Sequence, residues 1–128
     1  MAGAVLDASA ILAFVKSEPG HEAVLPHIGT GIVSAVNLQE VAKTLLDDGI
    51  VLETVRQILS ELRLDIRPHD ADAAYDAAAL APATARYGRG LGDRTCLALG
   101  LALGLPVVTA DREWARLAVT GLKIDLIR

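Results

Sequence analysis

Residues 90–114 read GLGDRTCLALGLALGLPVVTADREW, and more of the fold is legible here than anywhere else in the chain. Thr95–Leu103 is apolar on nearly every side of a helix, which predicts a helix buried all round. Gly104 ends it, and Pro106–Thr109 (PVVT) is a short buried strand. A buried helix feeding a buried strand is the closing half of a parallel crossover unit, with helices covering both faces of the sheet. Asp93 stands at the start of that helix, and Asp111 follows the strand by two residues.

Working outward, Gly3–Leu6 is an apolar run ending at Asp7, consistent with another buried strand. Ser9–Val15 reads as a helix stopping before Glu18-Pro19-Gly20, and His21–His27 as a short helix. Gly31–Val33 is a brief strand-like run. Ser34 can cap the helix Ala35–Asp47, with Gly49 beyond it. Leu52–Leu62 is a second amphipathic helix, and Arg63–Arg67 alternates like a strand. Asp70 and Asp72 open an Ala-rich helix ending near Pro82, and Ala83–Gly92 is loop-like. Asp111–Leu117 starts a further helix, and Lys123–Ile127 alternates like a final strand. Strands separated by helices predict an α/β three-layer sandwich, a short and mainly parallel sheet flanked by helices.

The 128 residues fit a single domain, 1–128, without repeats, low-complexity tracts or linkers. Hydrophobic residues make up 52% and aromatics only 3%, so the core must be built from Ala, Val, Leu and Ile. Cys96 is the only cysteine, which excludes an intrachain disulfide and a cysteine-based zinc site. It reads as core packing, and Trp114 as packing its helix against the sheet. His21, His27 and His69 lack the spacing of paired metal ligands. The N-terminal segment has no basic region, Asp7 interrupts its apolar run, and no stretch reaches the roughly 18 apolar residues of a membrane span. A cytoplasmic protein is expected. The net charge of −4 argues against a generally basic nucleic-acid-binding surface. It leaves room for a nuclease whose acids are concentrated at a metal site.

In such sheets sites form beyond the carboxyl ends of the strands, where strand order switches. Chain direction places Asp7 and Asp111 on that rim. A right-handed crossover brings the start of the Asp93 helix to the same edge. On Ala35–Asp47, Leu38, Val41, Ala42 and Leu45 define the buried stripe. Asn37, Glu40 and Thr44 form a polar seam along its border, from which Glu40 can face a cleft. Each acid has an ordinary explanation: Asp7 (or Ser9) and Asp111 as helix caps, Asp93 as a first-turn residue favoured by the helix dipole, Glu40 as a boundary residue. Their convergence is what needs explaining, because clustered carboxylates repel unless a cation sits among them. Hard oxygen ligands suit Mg²⁺, with Mn²⁺ as a substitute. Ser9, Asn37 and Thr109 lie near the acids and could orient them by hydrogen bonds.

The segments VLDASAILA (5–13), SAVNLQEV (34–41), GLGDRTCLALG (90–100) and PVVTADREW (106–114) resemble the PIN-domain family, specifically VapC-type toxins of bacterial toxin–antitoxin systems. Their order and spacing run across nearly the whole chain. The resemblance implies a PIN-like fold and a Mg²⁺-dependent endoribonuclease. The family's acidic positions fall on Asp7, Glu40, Asp93 and Asp111, with Asp7 and Asp93 holding the principal ion. It also implies a homodimer and inhibition by a small antitoxin whose C-terminal segment enters the active-site groove. Arg86, Arg89, Arg94, Arg112 and Arg116 flank the acidic motifs, and Arg94 and Arg112 are the foremost candidates for RNA contacts. Ordinary solvated arginines are the competing reading.

Three other readings compete. A phosphate-accepting receiver domain would need an acidic neighbour for Asp7 and a lysine after a late strand, where Arg112 stands. A catalytically silent PIN fold that binds RNA or protein would not require the four acids. A DNA-directed phosphodiesterase would use the same metals and be separated by its substrate. Gly88–Gly92 does not match a dinucleotide-binding glycine motif.

Overall fold

The structure is a computed structural model that describes residues 3–128. Five strands form one sheet in the order β3-β2-β1-β4-β5, and every neighbouring pair is parallel. The strands are β1 (Val5–Leu6), β2 (Ile32–Ser34), β3 (Asp65–Arg67), β4 (Val107–Thr109) and β5 (Ile124–Leu126). The helices are α1 (Ala8–Val15), α2 (Ala35–Asp47), α3 (Leu52–Glu61), α4 (Ala71–Ala79) and α5 (Leu91–Leu103).

The strands are only two or three residues long, yet their side-chain alternation separates the two faces. Leu6, Val33 and Val108 point into one core with Ile11 of α1, Val41 and Leu45 of α2 and Val55 of α3. Val5, Ile32 and Val107 point into the other, with Cys96 and Leu97 of α5 and Trp114. Helices therefore cover both faces, as the pattern of apolar runs predicts. Trp114 and Cys96 are fully buried in the second core.

Gly100 sets how closely α5 approaches the sheet. A Cβ there would lie 2.4 Å from Cγ2 of Val107, so a side chain cannot be added without moving helix or strand.

Several local expectations change. The segment His21–His27 forms two short 3-10 turns, His21–Ala23 and Leu25–His27, with Pro26 in the second. The residues after Asp111 form a 3-10 turn, Arg112–Arg116, instead of an α-helix. Helix α5 begins at Leu91, four residues before the apolar run, so Gly92 belongs to its first turn and not to the preceding loop, while Asp93 stands at the helix start as expected. Nor is α5 buried all round: Thr95–Ala98 and Gly100 are buried, but Ala102 is exposed and Leu99, Leu101 and Leu103 are half-buried. Apolar composition alone overstated its enclosure because α4 covers only part of its outer side.

Candidate active site

Strand order reverses between β1 and β4, since the chain moves outward from β1 through β2 to β3 and then returns to β1's other side. The segments leaving these two strands diverge and open a crevice at their carboxyl ends. Asp7 is the residue after β1, and Asp111 lies two residues after β4.

Asp7 occupies the N-cap of α1, yet its side chain makes no cap hydrogen bond. The capping explanation therefore fails for this residue. Its carboxylate is 6% exposed and accepts two hydroxyls on the same oxygen, Oδ2: Ser9 Oγ at 2.6 Å and Thr109 Oγ1 at 2.9 Å. Each hydroxyl has a single proton, so both are committed to Asp7. As acceptors they then fix the opposite strand end. Ser9 Oγ receives the N–H of Ala110 at 2.9 Å, and Thr109 Oγ1 receives the N–H of Asp111 at 3.0 Å. The Asp7 N–H donates to Val108 O at 2.9 Å. The β1 and β4 ends are thus stitched together around one buried carboxylate.

A second stitch joins α2 to α5. Asn37 is fully buried and donates from Nδ2 to Glu40 Oε1 at 2.7 Å and to the carbonyl of Gly92 at 3.0 Å. Both partners are acceptors, which sets the amide's orientation. Asn37 consequently lies inside the helix's buried stripe, not in a polar seam on its border, while Leu38 and Ala42 are only half-buried. Period arguments rank residues by polarity and so misplace a polar side chain whose partners come from another element. Glu40 is exposed and extends toward the first turn of α5. A Cβ on Gly92 would fall 2.2 Å from Glu40 Oε1, so glycine is what leaves room for that carboxylate.

Asp93 and Asp111 do perform the ordinary helix-end roles, with one oxygen each. Asp93 Oδ2 accepts the Gly90 N–H at 3.2 Å, and Asp111 Oδ1 accepts the Glu113 N–H at 3.0 Å. Their other oxygens accept no hydrogen bond within the described protein. Burial pushes the Asp7 carboxyl above its usual range against the pull of Ser9 and Thr109, and the charge of Glu40 raises it further. Burial also raises Asp93, opposed by the Gly90 N–H, while the charges of Asp7 and Asp111 add to the rise. The charge of Glu40 thus reaches Asp7, and those of Asp7 and Asp111 reach Asp93, which links the four acids in a chain.

Among the described residues, no three acidic, histidine or cysteine side chains already converge closely enough to enclose an ion. The arrangement is an open rim of carboxylates. Such a rim fits Mg²⁺, which usually keeps several waters and takes one or two carboxylates in place of a protein cage. The donor set is all hard oxygen, and a cation at the rim would offset both the burial that chiefly raises Asp7 and Asp93 and the lesser push of their acidic neighbours.

The model of the PIN domain matches residues 4–119, and the chain belongs to the PIN-domain family. Its fold is shared with a DNA-bound VapBC complex from Salmonella typhimurium, at a TM-score of 0.76 and 22% identity over 100% of both chains. A toxin–antitoxin complex from Klebsiella pneumoniae matches at a TM-score of 0.71 and 18% identity, over 94% of this chain and 95% of that one. VapBC-5 from Mycobacterium tuberculosis, a member of the VapBC family of toxin–antitoxin systems, matches at 0.64 and 26% identity over 98% and 99%. No curated protein sequence matches the chain. Among the described residues, no helix is long and apolar enough to cross a membrane.

Proposed function

We propose that this PIN domain is a Mg²⁺-dependent endoribonuclease and the toxin of a toxin–antitoxin pair, with Mn²⁺ able to replace Mg²⁺. The observation that carries the reading is the buried, raised Asp7 carboxylate, held by two hydroxyls and sharing a field with Glu40, Asp93 and Asp111 at the switch in strand order. The VapBC complexes that share the fold support the toxin assignment.

Asp7 and Asp93 would hold the ion, with Glu40 and Asp111 completing the rim. A bound divalent ion supplies Lewis acidity, activating water as a nucleophile and stabilising charge on the phosphodiester and its leaving oxygen. The protein's own part is preorganisation. Ser9 and Thr109 keep one Asp7 oxygen engaged and so fix the plane of the carboxylate. Asn37 holds Glu40 against the turn at Gly92. The helix-end bonds of Asp93 and Asp111 fix one oxygen of each and leave the other for the ion or its waters.

Two exposed apolar surfaces support partner binding. A groove of about 310 Å³ between α2 and α3 has an apolar floor of Leu38, Ala42, Val55 and Leu59 with Arg56 and Ser60 also lining it, and would receive an amphipathic antitoxin segment. Leu91, 81% exposed, lines a second groove along α4 and α5 with Ala74, Ala77, Ala78 and Ala81, the surface suited to a homodimer.

Cleavage of a labelled RNA pool by purified, antitoxin-free protein tests the activity. We expect cutting with Mg²⁺ that stops with EDTA and in Asp93→Asn. Folded protein that cuts nothing with Mg²⁺ or Mn²⁺, or an Asp93→Asn variant as active as the parent, would overturn the reading.

A further inference from the structure

Five arginines flank the acidic motifs; Arg89 and the foremost candidate Arg112 are exposed, and the other three are engaged by neighbouring side chains. Arg94 is half-buried, and its Nε donates to Thr84 Oγ1 at 3.0 Å, so it ties α5 to the segment after α4. Arg86 and Arg116 are exposed and gather on a single aromatic ring, that of Tyr87. Their guanidinium carbons lie 5.9 and 5.7 Å from its centroid, and Arg116 Nη1 donates to the Tyr87 hydroxyl at 3.2 Å. Neither guanidinium has a carboxylate within 4.0 Å among the described residues. Glu113, on the same 3-10 turn as Arg116, acts on it only through its longer-range field.

Two cations held on one ring are no more than about 12 Å apart. A ring holds an exposed cation only weakly and does nothing to neutralise it. Each guanidinium carries five N–H donors, and only one donor of the pair is engaged. The chain as a whole is acidic, so affinity for a polyanion must come from a local concentration of positive charge such as this one. The position suits the acidic rim. Gly88 lies against Trp114 and Leu117, clamping the segment before α5 onto the 3-10 turn after β4. Arg116 ends the turn that Asp111 caps, and at a rise of about 2.0 Å per residue its backbone is on the order of 10 Å along the turn from Asp111.

We propose that Arg86 and Arg116, braced by Tyr87, form a phosphate-binding subsite that grips the RNA strand outside the acidic rim. This rests on the nuclease reading and names a part of its substrate site. Phosphate contacts of this kind position a strand without reading its sequence. Tyr87 acts as a positioning residue, through the two arginines.

The test measures binding of a fluorescent, mixed-sequence single-stranded RNA to Asp93→Asn protein over a salt series, with and without Arg86→Gln plus Arg116→Gln. Loss of two phosphate contacts lowers the slope of log K against log salt by about 1.4. In otherwise unaltered enzyme the same pair of substitutions should raise KM about tenfold on a long RNA, leave kcat within about threefold, and leave cleavage of a two-nucleotide substrate unchanged. Tyr87→Phe should keep most of the effect of the ring, and Tyr87→Leu should reproduce part of the double substitution. An unchanged salt slope or an unchanged KM overturns the subsite while leaving the nuclease reading intact. Protein that binds RNA normally but never cuts it overturns the nuclease reading, and the salt slope still decides the subsite. No RNA binding by the folded parent overturns both.

Discussion

Replacing Gly92 with alanine separates stability from function at this site. Gly92 is in the first turn of α5 with ordinary helical backbone, so alanine fits the main chain and gains up to about 1 kcal/mol of helix propensity. Its Cβ, however, would stand 2.2 Å from Oε1, 2.5 Å from Cδ and 2.6 Å from Oε2 of Glu40. The carboxylate is the end of an exposed, flexible side chain, so it swings away instead of forcing the helices apart. That breaks the 2.7 Å bond from Asn37. The stranded amide hydrogen of a fully buried Asn37 costs about 1–2 kcal/mol, moderated by its surviving bond to the Gly92 carbonyl. Gain and loss nearly cancel, and the melting temperature should stay within about 3–6 °C of the parent. Cleavage should fall about 10–100-fold, the usual effect of removing the support of a metal-site carboxylate. The assay is a double-mutant cycle in Mg²⁺-dependent RNA cleavage. In a Glu40→Gln background, Gly92→Ala should cost less than about threefold, because both changes act through the same carboxylate. Full activity in the single variant, or losses that multiply in the double one, would refute the claim that Gly92 exists to admit Glu40.

Two more outcomes follow from buried positions. Asp7 has a carboxyl raised by burial, so between the unfolded value of 3.8 and the raised folded value the native state binds more protons than the unfolded chain, and stability falls as pH rises through that window. In EDTA at neutral pH, Asp7→Asn should therefore raise the melting temperature by a few degrees while abolishing cleavage, with the gain shrinking on acidification; a variant less stable than the parent at neutral pH would contradict this. Gly100→Ala places a Cβ 2.4 Å from Val107 Cγ2 and should destabilise by about 1–3 kcal/mol in chemical denaturation despite the better helix propensity; an unchanged midpoint would show that α5 and β4 can separate freely.

Much of the architecture was legible in the order of apolar runs. The PVVT strand, the capped helix at Ala35–Asp47 and the glycine stop at Gly104 are local features, set by side-chain periodicity and turn chemistry within a few residues. Chain direction and crossover handedness were enough to bring Asp7, Asp93 and Asp111 toward one edge. Ser9, Asn37 and Thr109 could be named as residues that orient the acids, and they do so, but most other pairings between distant parts of the chain could not be read locally. Asn37 reads as a residue of the polar border that could orient an acid, and its full burial is explained only when Gly92, 55 positions away, supplies a second acceptor for its amide. Gly92 looks like loop punctuation until Glu40 is seen against it. Arg94 is one arginine among five until Thr84 takes it, and Arg86 and Arg116 join only where Tyr87 lies between them. Helices and strands form from short-range preferences, which a sequence states directly. The matching of polar groups across a core depends on packing distances of a few ångströms, and those exist only once the chain has closed on itself.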